Sequence, residues 1–132
     1  MTPAKRRGDR GGDSNVADAA NCLFCAIASG ALGTEFIAES DRAVAFRDIQ
    51  PQAPSHVLVV PRQHVAALRD LEPDDDVMAA ELLRLAAEVA RREGLLAGGY
   101  RVVINDGDDA GQTVHHLHLH VLGGRKLNEP LG

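Results

Sequence analysis

The spacing of apolar residues predicts one long helix in the middle of the chain. Between residues 72 and 94, large apolar side chains recur at intervals of three and four residues, with charged side chains between them. The recurring residues are Met78, Leu82, Leu85 and Val89. Such spacing gives a helix one apolar face. Pro73 with the three aspartates after it suits the start of a helix, and Gly94 suits its end.

Shorter apolar runs predict five strands. They are expected at residues 35–39, 43–47, 56–60, 100–105 and 115–122. A short segment at residues 22–28 precedes them and is followed by turn signals at Ser29, Gly30 and Gly33. With the long helix between the third and fourth strands, this order predicts an α+β fold whose helices cover one face of a sheet.

The length and composition predict one folded domain. A chain of 132 residues that is 45% hydrophobic and 25% charged builds a single core. Residues 1–20 are rich in Gly, Arg and Asp without any period, so we expect a disordered leader there and the domain at residues 21–132. No apolar run is long enough to span a membrane, and no apolar segment follows the basic start as in a secretory signal. A cytoplasmic protein without membrane partners is expected.

The charge balance bears on the class of ligand. The net charge of −5 leaves no broad basic surface for a nucleic-acid backbone. A small phosphate compound held by local hydrogen-bond donors remains compatible with this charge. The sequence therefore predicts no nucleic-acid partner.

Four of the six histidines fall in one segment, at residues 115–120. In a strand, side chains alternate between the two faces, so His116, His118 and His120 would share one face while Leu117 and Leu119 point to the core. Three imidazoles on one face can act as metal ligands, as a proton relay, or as a nucleophile with supporting acids. A purely structural cluster is the remaining alternative, although each ring nitrogen would then need a polar partner.

Cys22 and Cys25 form a Cys-x-x-Cys pair, whose spacing allows both thiolates to bind one metal ion. Two alternatives stay open from the residues alone: reduced structural thiols, and a redox pair. A stable disulfide is disfavoured in the cytoplasm.

The histidine segment, preceded by Gly111-Gln112-Thr113-Val114, resembles the signature of the histidine triad (HIT) superfamily, and in particular its Hint-like branch. The resemblance extends from Cys22 to about Arg125, through residues 46–56, 60–64 and 105–107. It implies a HIT fold, which is a five-stranded antiparallel sheet with one long and one or two short helices, and a two-fold homodimer.

The resemblance also implies hydrolysis of adenosine or guanosine 5′-phosphoramidates, or of related mixed anhydrides, to the nucleoside monophosphate. His118 would attack the α-phosphorus and form a nucleotidyl-histidine intermediate, with its ring oriented by neighbouring carbonyl groups. His120 would contact the phosphate and the leaving group, and His116 completes the triad. His56 would assist proton transfer, or it is an ordinary residue at a strand start. The chemistry would need no cofactor.

For the purine nucleotide, the resemblance implies a set of binding residues. They are Leu32, Phe46, Asp48, Ile49, Asn105, Gly111, Gln112 and Thr113. Asp48 would accept both ribose hydroxyls, and Gln112 and Thr113, with the backbone N–H groups after Gly111, would donate to phosphate oxygens. Phe46 and Ile49 would flank the base or sugar, with core packing as the alternative.

Bacterial members of this superfamily further imply a structural zinc site. The matching residues are Cys22, Cys25, His64 and His116. Two positions depart from the Hint-like pattern, because Gly33 stands where proline usually follows an isoleucine, and Glu129 stands near a tryptophan position. The first departure concerns the edge of the pocket, and the second concerns leaving-group preference. Two other functions stay open: dinucleoside polyphosphate hydrolysis or nucleotidyl transfer, and a regulatory nucleotide-binding role.

Overall fold

Five strands form one antiparallel sheet in the order β1-β2-β3-β5-β4. They are β1 (Ala38–Glu39), β2 (Ala43–Arg47), β3 (Ser55–Pro61), β4 (Tyr100–Ile104) and β5 (Leu119–Gly123). The computed structural model describes residues 21–128. The predicted leader at residues 1–20 and Glu129 lie outside the described residues. The predicted α+β fold with a five-stranded antiparallel sheet is confirmed.

The two α-helices pack on opposite faces of this sheet. Helix α1 (Leu23–Ala28) is short, and helix α2 (Asp76–Arg92) is the long amphipathic helix. The apolar face of α2 packs on Val57, Val59 and Val121, whereas Phe24 and Ala28 of α1 pack on the other face. The expectation that the helices cover one face is therefore wrong. Strand β3 is buried along its whole length and presents apolar side chains to both sides, so each face needs a cover.

The ends of α2 follow the signals in the sequence. A 3₁₀ turn (Pro73–Asp75) leads into the helix, and its capping box pairs Glu72 with Asp75. The helix ends at Arg92, and Gly94 then adopts a φ of 72°, which glycine adopts without a Cβ clash. Within residues 21–128, no helix combines the length and the apolarity that crossing a bilayer would require.

The strand predicted at residues 115–122 is wrong in its first half. Residues 114–116 form a bend, and the ladder of β5 begins only at Leu119. Before the ladder, the backbone N–H of Leu117 donates to the carbonyl oxygen of Val65 at 2.6 Å. The predicted alternation nevertheless holds, because Leu117, Leu119 and Val121 all enter the core on the α2 side. Strand β1 is also shorter than the predicted 35–39.

Candidate active site and metal centre

An open cleft of about 360 Å³ lies on the α1 side of the sheet. One part of its lining is apolar and comes from α1, β2, β3 and the loops beside them. The apolar residues are Leu23, Phe24, Ile27, Phe46, Ile49, Leu58 and Val114. The polar part includes Asp48, Thr113, His118 and His120. The cleft therefore suits a ligand with one apolar end and one polar end.

His118 is held in one orientation by a backbone carbonyl. Its Nδ1–H donates to the carbonyl oxygen of His116 at 2.6 Å, and its ring packs edge-on against Phe24 with centroids 5.1 Å apart. A neutral imidazole with its proton on Nδ1 has its lone pair on Nε2. Burial lowers the pKa of His118 below 6.5. The hydrogen bond to the His116 carbonyl and the charge of Asp48 raise this pKa, but burial has the larger effect. The ring is therefore neutral at pH 7, with Nε2 as a nucleophilic atom.

His56 and His120 form a hydrogen-bond relay whose proton positions can be deduced. The backbone N–H of Gln52 donates to His56 Nδ1 at 3.0 Å, so the proton of a neutral His56 is on Nε2. That Nε2 lies 2.8 Å from His120 Nδ1 and 3.4 Å from Asp48 Oδ2. His120 Nδ1 is thus the acceptor, and the proton of His120 is on Nε2. His120 therefore has an N–H donor on its outer nitrogen.

The sheet register brings this relay together. Leu58 of β3 pairs with His120 of β5, so His56, two residues before Leu58, lies diagonally from His120 on the same face. The rings of His118 and His120 have centroids 4.9 Å apart. Burial and the neighbouring His118 and His56 rings lower the pKa of His120 to about 4, and burial also lowers the pKa of His56. All three rings are neutral at pH 7.

A second cluster joins α1 to the bend before β5. The ligand atoms of Cys22, Cys25, His64 and His116 all lie within 4.8 Å of one another. The Cys22 sulfur is 3.3 Å from His116 Nδ1, and the Cys25 sulfur is 3.2 Å from His64 Nδ1. We call these four residues the Cys2His2 cluster. Two sulfur and two nitrogen donors form the set that a closed tetrahedral zinc site uses.

The surroundings of the Cys2His2 cluster fit a cation. His116 is fully buried, and its Nε2–H donates to the carbonyl oxygen of Pro61 at 2.9 Å, so its Nδ1 lone pair faces the thiols. Burial and the adjacent Cys22 thiol raise the pKa of Cys25 to about 12. A divalent cation would supply the positive charge that two neighbouring thiolates need.

Asp48, His56 and His120 also bring their ligand atoms within 4.8 Å of one another. Here the Gln52 N–H fixes the proton of His56 on Nε2, the atom that faces the other two residues. A cation at that position would require Nε2 to lose its proton while Nδ1 still faces an N–H donor. The hydrogen bonds of this group thus disfavour a cation there, and the Cys2His2 cluster is the candidate metal centre.

Comparison with known proteins places this geometry in a family. Residues 30–127 match the family model described as the HIT domain. The chain belongs to the HIT domain family. An uncharacterised HIT-like protein of Synechococcus elongatus is 43% identical over 110 residues, which cover 83% of this chain and 96% of that protein. The family assignment confirms the resemblance to the HIT superfamily, and the Hint-like branch stays a prediction.

Solved HIT structures share the fold. The HIT family hydrolase from Legionella pneumophila superposes with a TM-score of 0.81 and 46% identity, covering 85% of this chain and 100% of that one. A zinc-bound histidine triad family protein from Mycobacterium smegmatis gives a TM-score of 0.68 and 39% identity, covering 81% of this chain and 77% of that one.

The cleft of this HIT domain contains six of the residues that the sequence singled out. They are Phe46, Asp48, Ile49, Thr113, His118 and His120. His56 lies behind them, and the four predicted zinc ligands meet in the Cys2His2 cluster. The Ile49 side chain is 92% exposed at the rim, so core packing does not explain it, whereas Phe46 is buried and also lines the cleft.

Four predicted nucleotide-binding residues, Leu32, Asn105, Gly111 and Gln112, do not line the cleft. The Gln112 side chain is buried, donates to the carbonyl oxygens of Ala66 and Val114, and accepts from the Gly107 N–H. The prediction that Gln112 donates to a phosphate oxygen is wrong, because its amide group instead forms hydrogen bonds within the loop. Asn105 similarly donates to the carbonyl oxygen of Ala110, Gly111 forms a turn, and Leu32 is exposed.

The wall that α1 contributes to the cleft was not predicted from the sequence. Leu23, Phe24 and Ile27 line the cleft, and Phe24 contacts His118 directly. The Cys-x-x-Cys pair contained the signal for this wall. If Cys22, Cys25 and His116 bind the same metal ion, the residues between the two cysteines must lie close to His116. They then also lie close to His118, which follows His116 by two residues.

Proposed function

We propose that this HIT-family chain is a hydrolase that releases a nucleoside monophosphate from nucleoside 5′-phosphoramidates or related mixed anhydrides. The observation that carries the proposal is the 2.6 Å bond from His118 Nδ1 to the His116 carbonyl, which makes Nε2 the free nucleophile of a cleft-lining ring. The similarity to a protein described as a HIT family hydrolase supports the reaction class.

In the proposed first step, His118 Nε2 attacks the α-phosphorus and forms an N–P bond. The bond from phosphorus to the leaving group breaks, and the Nε2–H of His120 protonates the departing amine. The ring of the phosphorylated His118 then carries a positive charge, which the His116 carbonyl stabilises through Nδ1–H. In the second step, water attacks the phosphorus, returns a proton to His120 Nε2 and frees His118.

The two ends of the cleft suit the two ends of a purine nucleoside. The Asp48 carboxylate accepts the Gln50 N–H through one oxygen and lies beside His56 through the other, with free lone pairs for a ribose diol. The apolar residues, including the exposed Ile49, provide surface for the base. Thr113 lines the cleft, and its hydroxyl would donate to a phosphate oxygen.

We further propose that the Cys2His2 cluster holds a structural zinc ion and that the chain forms a two-fold homodimer. The ion would neutralise two thiolates and tie α1 to the sheet. The zinc-bound relative and the donor set support this site. For the dimer, β4 is an edge strand with Tyr100 and Val102 partly exposed, and such an edge can pair with a second copy. Small-molecule purine nucleotides are the proposed partners, in the cytoplasm, with neither nucleic acid nor membrane.

Steady-state hydrolysis by the reduced, zinc-supplemented chain tests the proposed function. Adenosine 5′-phosphoramidate should be converted to adenosine monophosphate much faster than a dinucleoside polyphosphate is cleaved. His118→Asn should lower kcat by about 1,000-fold or more, because the nucleophile is lost. Faster cleavage of the dinucleoside polyphosphate would favour the alternative hydrolase or nucleotidyl transferase. Full restoration of cells lacking the protein by His118→Asn would favour a regulatory binding role.

A further inference from the structure

We infer that the Cys2His2 cluster positions the catalytic nucleophile as well as stabilising the fold. The inference rests on the proposed zinc site and the proposed role of His118. Its basis is that one residue belongs to both sites. The His116 side chain lies in the cluster, while the His116 carbonyl accepts the hydrogen bond that orients His118.

The first connection runs through the peptide group between His116 and Leu117. Its carbonyl accepts from His118 Nδ1 at 2.6 Å, and its N–H donates to the Val65 carbonyl, also at 2.6 Å. His64, the residue before Val65, is another member of the cluster. Two cluster histidines are therefore adjacent to the two ends of the hydrogen bond that holds this peptide plane. Binding one ion through both rings would fix the direction of the carbonyl.

The hydrogen-bond ladder of β5 does not supply this constraint. His116 lies in the bend before β5, whose ladder begins at Leu119. The His116 ring is instead held by the Pro61 carbonyl and by the thiols of the cluster. The orientation of His118 thus depends on contacts that include the ligand side chains.

The second connection runs through α1. Cys22 is the N-cap of this six-residue helix, Cys25 lies within it, and Phe24 lies between them. The Phe24 ring contacts both His116 and His118, at centroid distances of 6.0 and 5.1 Å. So short a helix is not stable on its own, and its position depends on tertiary anchors. The cluster therefore also places the wall of the cleft that packs against the nucleophile.

Two measurements on the full-length reduced chain test the inference, besides turnover. The first is the proton NMR signal of the His118 Nδ1–H, assigned by its loss in His118→Gln and followed as zinc is removed by chelation and restored. The second is the single-turnover rate of nucleotidyl-His118 formation. We expect zinc removal to abolish the protected signal and to slow adduct formation about 10- to 100-fold, since small misplacements of reacting groups cost that much. Both should recover when zinc is added back.

A matched variant separates positioning from stability. Val89→Ala opens a cavity in the core on the α2 side, away from the cluster. This variant is studied at a temperature where its folded fraction equals that of the zinc-free chain. Relative to the unaltered zinc-loaded chain at that temperature, its folded molecules should keep both the NMR signal and the adduct rate. Cys25→Ser should behave like the zinc-free chain. If this variant does not fold, zinc removal from the unaltered chain still tests whether the cluster positions His118.

The outcomes of these measurements distinguish a failure of this inference from a failure of the proposed zinc site or of the proposed function. Stoichiometric zinc whose removal leaves the NMR signal and the adduct rate unchanged would overturn the inference and leave the zinc site intact. Absence of bound zinc, measured by metal analysis, would overturn the site and the inference together. If the zinc-loaded chain formed no adduct, the proposed function would fail, and the NMR signal would still report whether the cluster orients His118.

Discussion

His56→Ala is the substitution that examines the proton relay most closely. The ring is 5% exposed, accepts the Gln52 N–H and donates to His120 Nδ1. Alanine removes both hydrogen bonds, and a fully buried polar group left without a partner costs about 1–3 kcal/mol. Because Gln52 is exposed and His120 is half-buried, water replaces part of each bond, and we expect the free energy of unfolding to fall by about 1–3 kcal/mol. Urea denaturation at pH 7 measures this change.

The effect on catalysis should depend on the leaving group. Without His56, the His120 proton is free to move to Nδ1, and a ring in that form has no proton on Nε2 to give to the departing amine. General acid catalysis contributes about 100- to 10,000-fold, and part of the population keeps the productive form. For an alkylamine phosphoramidate we expect single-turnover rates to fall about 10- to 100-fold. For the p-nitrophenyl ester of adenosine monophosphate, whose leaving group needs no proton, the change should stay within about threefold.

His56→Gln provides the matched control. Its carboxamide can accept from the Gln52 N–H and donate to His120 Nδ1, so it should recover most of the rate with the amine substrate. An equal slowing of both substrates by His56→Ala would refute the deduced proton positions. Unchanged rates with both would make His56 an ordinary residue of the strand.

Two further predictions concern the ribose and the response to acid. Asp48→Asn should raise KM for the ribonucleotide by about tenfold or more and abolish discrimination against the 2′-deoxy substrate, because hydrogen bonds to a charged group are worth about 1.5–3 kcal/mol; equal discrimination by both proteins would count against a diol contact. The folded pKa of His120, about 4, lies below its ordinary value of 6.5, so the unfolded chain binds the proton first and stability falls as the pH drops from 6.5 towards 4. After allowance for solvent screening of a half-buried ring, the free energy of unfolding should fall by about 1–2 kcal/mol over this pH range because of His120. Urea denaturation at several pH values should show that this part of the pH dependence is absent from His120→Gln.

The sequence was most informative where one physical rule dominated. The apolar face and the capping residues of α2 predicted a long helix. The Val-rich run of β3 predicted a strand. The two-residue β1 and the packing of α1 were not predictable in this way. A short apolar segment does not reveal which face of the sheet it will cover, because that depends on how much apolar surface the strands leave on each side.

The candidate site shows the same limit. Alternation along residues 115–120 placed the three rings on one side, although residues 115–118 are outside the ladder, since Leu117 and Leu119 must still enter the core. The assignment of Gln112 to the phosphate was wrong because local sequence cannot tell whether an amide faces a ligand or satisfies its own loop. The proton positions of His56 and His120 required the Gln52 N–H, which only the folded backbone brings into contact.

The proposed reaction requires a covalent bond between His118 Nε2 and phosphorus. Quenching the reduced chain in alkaline denaturant within its first turnover of adenosine 5′-phosphoramidate preserves an N–P bond, and proteolysis with peptide mass spectrometry at neutral to alkaline pH then locates it. We expect an adenylyl group on the peptide that contains residues 115–120, localised to His118 and absent from His118→Ala. An adenylyl group on His120 or His56, or rapid turnover by His118→Ala, would rule out His118 as the nucleophile.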